Sequence, residues 1–122
     1  MQVFVAGGSG VIGHRLVRKL VDAGHQVTAT TTSLDKVPIL AGMGAGAVVM
    51  DGLDADMVGK CVVAASPDVV VHQMTALAGE PNMRRPDRWF AVTNRLRTEG
   101  TNNLLAAAEA AGASHFVAQS YA

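Results

Sequence analysis

The sequence contains one cysteine, Cys61, so it can form no internal disulfide, and a zinc centre built mainly from thiolates is excluded. It has no excess of either charge: ten basic residues balance ten acidic ones. That balance gives no reason to expect nucleic acid or an anionic membrane as partner. No apolar run approaches the roughly 18 residues of a membrane span. No basic segment followed by an apolar stretch and a cleavage site opens the chain, so no signal peptide is expected. With the lone cysteine, this makes the cytoplasm the expected compartment. His14, His25, His72 and His115 fall on different segments with no i, i+4 pair, so no metal site is expected. No linker and no low-complexity segment divides the chain.

What remains is a sequence of 122 residues, 49% apolar and 16% charged. That is one small globular domain, with strands buried on both faces. Short β-branched runs alternate with helical stretches. Residues 3–6 read as a first strand, and Ile12, Leu16, Val17, Leu20 and Val21 mark one helical face after it. Residues 27–32 read as a second strand. Ser33 is expected to cap a short helix through Leu40, with Pro38 in its first turns. Residues 47–50 form a third strand. Asp54 is expected to cap a third helix with Met57, Val58, Cys61 and Val62 turned inward. Residues 69–71 form the fourth strand, read as the most buried. After a loop over 75–86, Asp87 opens a long helix to Ala111, and residues 116–118 form the fifth strand. Gly24, Gly44 to Gly46 and Gly112 each join a helix to the next strand. This alternation predicts a three-layer α/β fold with helices on both faces of a five-stranded parallel sheet, in the order 3-2-1-4-5 with right-handed crossovers.

The chemistry is concentrated in Gly7-Gly8-Ser9-Gly10-Val11-Ile12-Gly13. This segment contains G-x-G-x-x-G and also G-x-x-G-x-x-G, and it lies between the first strand and the first helix, the context a dinucleotide site requires. One glycine makes the tight turn, another admits the pyrophosphate, and the last lets helix and strand pack closely. The helix start then offers unpaired N–H groups and partial positive charge to phosphates. Without a ligand these glycines would only weaken a helix start, by about 1 kcal/mol each relative to alanine. A P-loop is excluded, because His14-Arg15 follows Gly13 where Lys-Ser/Thr is needed.

Residues 5–13, Val-Ala-Gly-Gly-Ser-Gly-Val-Ile-Gly, resemble the V-T-G-x-x-G-x-I-G opening of the extended short-chain dehydrogenases/reductases, the NAD-dependent epimerase/dehydratase family. Later segments agree. Asp51 resembles the family's Asp near the adenine. Residues 67–72 resemble its P-D-V-V-I-H strand, and residues 99–105 with 111–112 and 116–117 its G-T-x-N-L-L…A-G…F-V stretch. The resemblance runs along essentially the whole chain. It implies NAD(P) as cofactor, with Gly7, Ser9, Gly10, Val11, Ile12, Gly13, Thr32, Ser33, Asp51, Gly52, Met74, Thr75 and Ser120 along it. It also implies a parent oxidoreductase, epimerase or dehydratase acting on a sugar-like or carbonyl substrate.

The departures carry information too. Gln73-Met74-Thr75 stands where the family often has Leu-Ala-Ala, Arg97 where it often has Asn, and Tyr121 at its catalytic Ser/Thr position. The family's Tyr-x-x-x-Lys pair does not occur in the 122 residues. Residues 1–122 therefore read as the nucleotide-binding part of such an enzyme, with the catalytic pair and the substrate domain outside it. A strand at position five would then lie at a sheet edge, and self-association is expected. The alternative function is a non-catalytic NAD(P)-sensing or protein-interaction module.

At the end of the second strand, neither the acidic residue of NAD-binding relatives nor the Arg of NADP-binding ones is present. Thr31, Thr32 and Ser33 stand there, with Lys36 beyond. Two hydroxyls and an ammonium suit a 2′-phosphate, which leans the reading to NADP. A capping Ser33 and a solvated Lys36 are the other reading. The arginines at 84, 85, 88, 95 and 97 read first as a solvated face, second as guanidiniums for an anion.

Overall fold

The inner strands of this sheet are buried on both faces, and each crossover returns the chain to the same end, so that all strands run parallel. The computed structural model describes residues 1–9, 11–74 and 95–118. Within them the elements run β1 (Gln2–Ala6), α1 (Val11–Asp22), β2 (Gln26–Thr31), a 3-10 turn (Leu34–Lys36), α2 (Val37–Gly42), β3 (Gly46–Val49), α3 (Ala55–Ala65) and β4 (Val69–His72). A π-helical turn (Leu96–Gly100) then leads into α4 (Thr101–Ala111), and β5 (His115–Ala118) follows. The sheet has the order β3-β2-β1-β4-β5, with every pairing parallel. This is the topology expected from the sequence.

β1 is the central strand, and its residues alternate between two cores. Phe4 and Ala6 join Met50, Val62, Val70 and Leu104 beneath α3 and α4. Val3 and Val5 join Val17, Val27, Ala29 and Leu40 beneath α1 and α2. Phe4, Val5, Val17 and Leu104 are fully buried, each contributing about 1.5–3 kcal/mol. β1 buries Val3 to Ala6 completely, while β4, also flanked by a strand on each side, buries Val70 to His72 and leaves Val69 half-buried.

Three local expectations need correction. Ser33 makes no side-chain cap; the chain there forms a 3-10 turn before α2, and Ser33 N–H instead donates to Thr31 Oγ1 at 3.1 Å. Pro38 does sit in the first turn of α2. Met57 is exposed, not inward: it lies in the first turn of α3, where its sulfur accepts a hydrogen bond from Asp51 N–H at 3.3 Å. Cys61 is half-buried against the core, and burial pushes its thiol pKa up. β3 begins at Gly46, one residue earlier than expected, and Met50 beyond it donates its N–H to Thr31 O at 2.9 Å.

Asp54 does cap α3, its Oδ1 accepting from Met57 N–H at 3.1 Å. The glycines at the three helix-to-strand joints, Gly24, Gly44 and Gly112, all take positive φ. The expected helix start at Asp87 lies outside the described residues. Among the described residues no helix is long and apolar enough to cross a membrane.

Candidate functional site

The sheet order reverses at β1, whose neighbours on either side are β2 and β4. A crevice must open there, at the carboxyl ends of the strands. The loop after β1 falls on it. Gly7 adopts φ +88°, and a Cβ there would lie 2.5 Å from the Gln73 carbonyl oxygen beyond β4. Gly13, in the first turn of α1, lies so close to Gly7 that a Cβ would fall on the Gly7 carbonyl oxygen. Only glycine at both positions lets α1 start directly above the turn.

β2 fastens this loop from the side. Gly7 N–H donates to Thr30 Oγ1 at 2.9 Å, and Gly8 N–H to Thr30 O at 2.8 Å. Ser9 Oγ donates to Thr31 Oγ1 at 3.0 Å. Thr30 and Thr31 are almost fully buried, at 1% and 3% exposure, so these bonds are shielded from water.

The result is a cleft of about 240 Å³. One end is polar, with Ser9, Thr31, Thr32, Ser33 and Lys36. The other is apolar, with Met50, Gly52, Met74 and Leu96. Among the described residues no lining residue is acidic, Lys36 is cationic, and the first turn of α1 carries no carboxylate. The helix start therefore keeps its unpaired N–H groups and partial positive charge uncancelled. A glycine turn, hydroxyls and one ammonium fit a phosphate-bearing ligand, and the apolar end fits a ring.

His72 at the end of β4 is held, not free. Met74 N–H donates to its Nδ1 at 3.1 Å, and its Nε2 stands 3.0 Å from Leu96 O. An amide can only donate, so Nδ1 must accept and the proton resides on Nε2, which donates to Leu96. Burial pushes the His72 pKa down, and the bond to the Leu96 carbonyl partly opposes this. His72 is thus a satisfied structural histidine joining β4 to the π-helical turn.

Of the residues expected along a nucleotide, the structure brings Gly7, Ser9, Thr32, Ser33, Gly52 and Met74 together in the cleft. Gly13 lies directly behind it. Val11 and Ile12 form the start of α1. Asp51 is exposed and does not line the cleft; its Oδ1 accepts from Leu53 N–H at 2.9 Å. Gly10, Thr75 and Ser120 lie outside the described residues. Sequence reasoning missed Thr30, Met50, Gln73 and Leu96 as lining residues. Their signal was spatial: Thr30 looks like any strand threonine until Gly7 is seen beside it. Arg95 pairs with Glu99 at 3.0 Å on an exposed helix face, and the arginines at 84, 85 and 88 lie outside the described residues. Among the described residues no cluster of metal-ligating side chains occurs.

A model of the NAD(P)H-binding family matches residues 7–122. The chain is 48% identical over 124 residues to a 3-diazoavenalumate denitrifying reductase of Streptomyces, covering all of this chain and 38% of that protein. It is 31% identical to the photosystem II assembly factor Ycf39 of Synechocystis, over 96% of this chain and 32% of that one. The chain thus spans about a third of these relatives' length. Its fold is shared with the UDP-glucose 4-epimerase of Stenotrophomonas maltophila, solved with NAD, at a TM-score of 0.76 and 24% identity over 100% of this chain and 37% of the other. Gly7, Gly13 and the cleft they border fall within the matched residues, and the chain belongs to the NAD(P)H-binding family.

Proposed function

We propose that these 122 residues are the nucleotide-binding unit of an NAD(P)H-dependent reductase, with the catalytic and substrate-binding parts supplied by sequence outside them. The observation that carries this is the cleft at the β1 switch point, where a glycine turn and a helix start meet hydroxyls and an apolar floor, with no carboxylate among the described lining residues. Gly7, Ser9, Gly10, Val11, Ile12 and Gly13 hold the pyrophosphate. Thr32 and Ser33 face the adenosine ribose. Asp51, Gly52 and Met74 serve the adenine end, and Thr75 and Ser120 the remainder of the dinucleotide. The bound nicotinamide supplies a hydride; the chain orients it.

We favour NADP(H) over NAD(H). Among the described residues no acidic side chain lines the β2 end of the cleft, and Lys36 does. A carboxylate there would repel a 2′-phosphate; an ammonium attracts it. Reduction is favoured over epimerisation because the 48% identical relative is a reductase, and the acceptor is a small carbonyl-like or otherwise electron-poor compound. A second reading, a non-catalytic NAD(P)-sensing or interaction module, draws on the likeness to an assembly factor.

Calorimetric titration of NADPH and NADH tests binding, and single-turnover oxidation of bound NADPH by the parent protein separates reductase from sensor. Absence of binding at millimolar nucleotide sinks both readings. We further propose a cytoplasmic location, and self-association through the β5 edge, where Val117 is 51% exposed. A concentration-independent monomer in sedimentation would overturn the latter.

A further inference from the structure

From Val37 to Met50 the chain carries no polar or charged side chain. This segment holds α2 and β3, and part of it faces water: Ile39 is 48% exposed and Val49 41%. Among the described residues β3 is an outermost strand, paired only with β2. Met50 N–H is turned to Thr31 O, and a strand turns every second residue to the same neighbour. Val48 therefore faces β2 as well, and the N–H and C=O groups of Ala47 and Val49 point out from the sheet. Sheet edges are commonly blunted by lysine, proline, a bulge or an inward charge. β3, with the sequence Gly-Ala-Val-Val, has none of these.

Two glycines of this segment answer to nothing inside the chain. Neither Gly42 nor Gly46 takes positive φ. A Cβ at Gly42 would meet nothing within 4 Å, and one at Gly46 would make only ordinary contact, 3.7 Å from Thr28 Oγ1. Glycine weakens a helix or a strand relative to alanine, and within a strand it marks the close approach of another backbone. Beside β3 an open groove of about 460 Å³ runs toward α3, with Gly46, Ala47, Cys61, Ala64 and Ala65 among the small residues that line it. Lys60, the charged residue of its lining, is exposed and extends into water.

We infer that this edge is an interface between two copies of the chain, with β3 pairing antiparallel to itself about a two-fold axis at Val48. That axis sets Ala47 of each copy opposite Val49 of the other, so each pair exchanges its outward N–H and C=O groups. A strand of a different protein would be selected by complementary charged or polar groups, and Val37 to Met50 offers none. A second copy needs none, because the two-fold axis matches the edge to itself. Stable interfaces take about 800 Å² from each partner, more than so short a strand covers; the apolar surface of α2 and the groove beside α3 extend it. This interface is separate from the β5 edge and does not depend on nucleotide binding.

Sedimentation of the chain across micromolar and millimolar concentration tests it, together with hydrogen exchange. A dimer is expected. Val49→Lys puts a charge on the outward edge and is expected to weaken the dimer by about tenfold or more. Gly46→Ala, which the single chain accommodates, is expected to keep its denaturation midpoint and still weaken the dimer. Val117→Lys, on the β5 edge, is expected to leave it intact; circular dichroism checks that each variant folds. In the unaltered chain the amides of Ala47 and Val49 are expected to exchange more slowly as concentration rises, while that of Val48 stays protected throughout. A monomer at every concentration, a dimer indifferent to Val49→Lys, a dimer lost in Val117→Lys instead, or unchanged exchange at Ala47 and Val49 would overturn the inference. Capture of the chain by neutral lipid vesicles in place of dimer formation would overturn it too.

Discussion

Ser9 and Thr31, from the turn after β1 and the last position of β2, meet hydroxyl to hydroxyl at 3.0 Å. Thr31 Oγ1 also accepts the Ser33 N–H at 3.1 Å, so one almost fully buried oxygen ties the glycine turn, β2 and the entrance to the 3-10 turn together. Thr31→Val keeps the shape and removes the oxygen. It leaves two donors short of a partner, which costs about 1–3 kcal/mol. Urea denaturation is expected to report that loss, and NADPH affinity is expected to fall with it. A variant as stable and as tight as the unaltered chain would show that this bond does not hold the loop.

Gly13→Ala makes a stronger prediction about geometry. The new methyl would fall on the Gly7 carbonyl oxygen, and backbone cannot step aside as a flexible side chain can. Overpacking of this kind costs about 1–3 kcal/mol. The midpoint of denaturation should drop, and nucleotide binding with it, because α1 can no longer start directly above the turn. Gly59→Ala is the control, since a Cβ there meets nothing within 4 Å. Equal midpoints for the two variants would contradict the packing described.

His72 gives a pH dependence whose sign is fixed by its burial. The pKa is lowered in the folded chain, so in acid the unfolded chain takes up a proton that folded His72 resists. The stability tied to His72 is complete above the ordinary histidine value of about 6.5 and falls as the pH drops below it. His72→Asn removes that titration and weakens the latch to Leu96. The variant should be less stable at pH 7.5 yet show a shallower loss between pH 7 and 5, measured by urea unfolding. Parallel curves would mean that His72 does not titrate against folding.

Lys36 decides between nucleotides. Lys36→Ala is expected to weaken NADPH binding by about three- to tenfold, the scale of one exposed charge at a phosphate, and to leave NADH unchanged. Competition binding with the two nucleotides reads this directly. Equal effects on both would remove the argument for a 2′-phosphate.

Much of this was legible in the chain itself, where one residue's neighbours in sequence are also its neighbours in space. The glycine turn, the strand order and the Asp54 cap follow from local pattern. Ser33 misled because a serine ahead of a helix commonly caps it; here the Thr31 side chain takes the Ser33 N–H, and a 3-10 turn intervenes before α2. Met57 looked inward by helical spacing, but it lies in the first turn of α3, with its sulfur on the Asp51 amide. Thr30, Gln73, Leu96 and the contact of Met74 with Gly52 depend on approaches across the crevice, which no spacing along the sequence records.

The central claim is that NAD(P)H lies in the cleft between the glycine turn and the Met74 floor. Titration of NADPH into the isotope-labelled chain, followed by amide chemical shifts, tests it residue by residue. The predicted result is saturable shifts concentrated at Gly7, Ser9, Gly13, Thr32, Gly52 and Met74, with the far ends of the strands, around Gln26 and His115, unmoved. Saturable shifts centred on the exposed outer ends of the sheet, or none at millimolar NADPH, would contradict it.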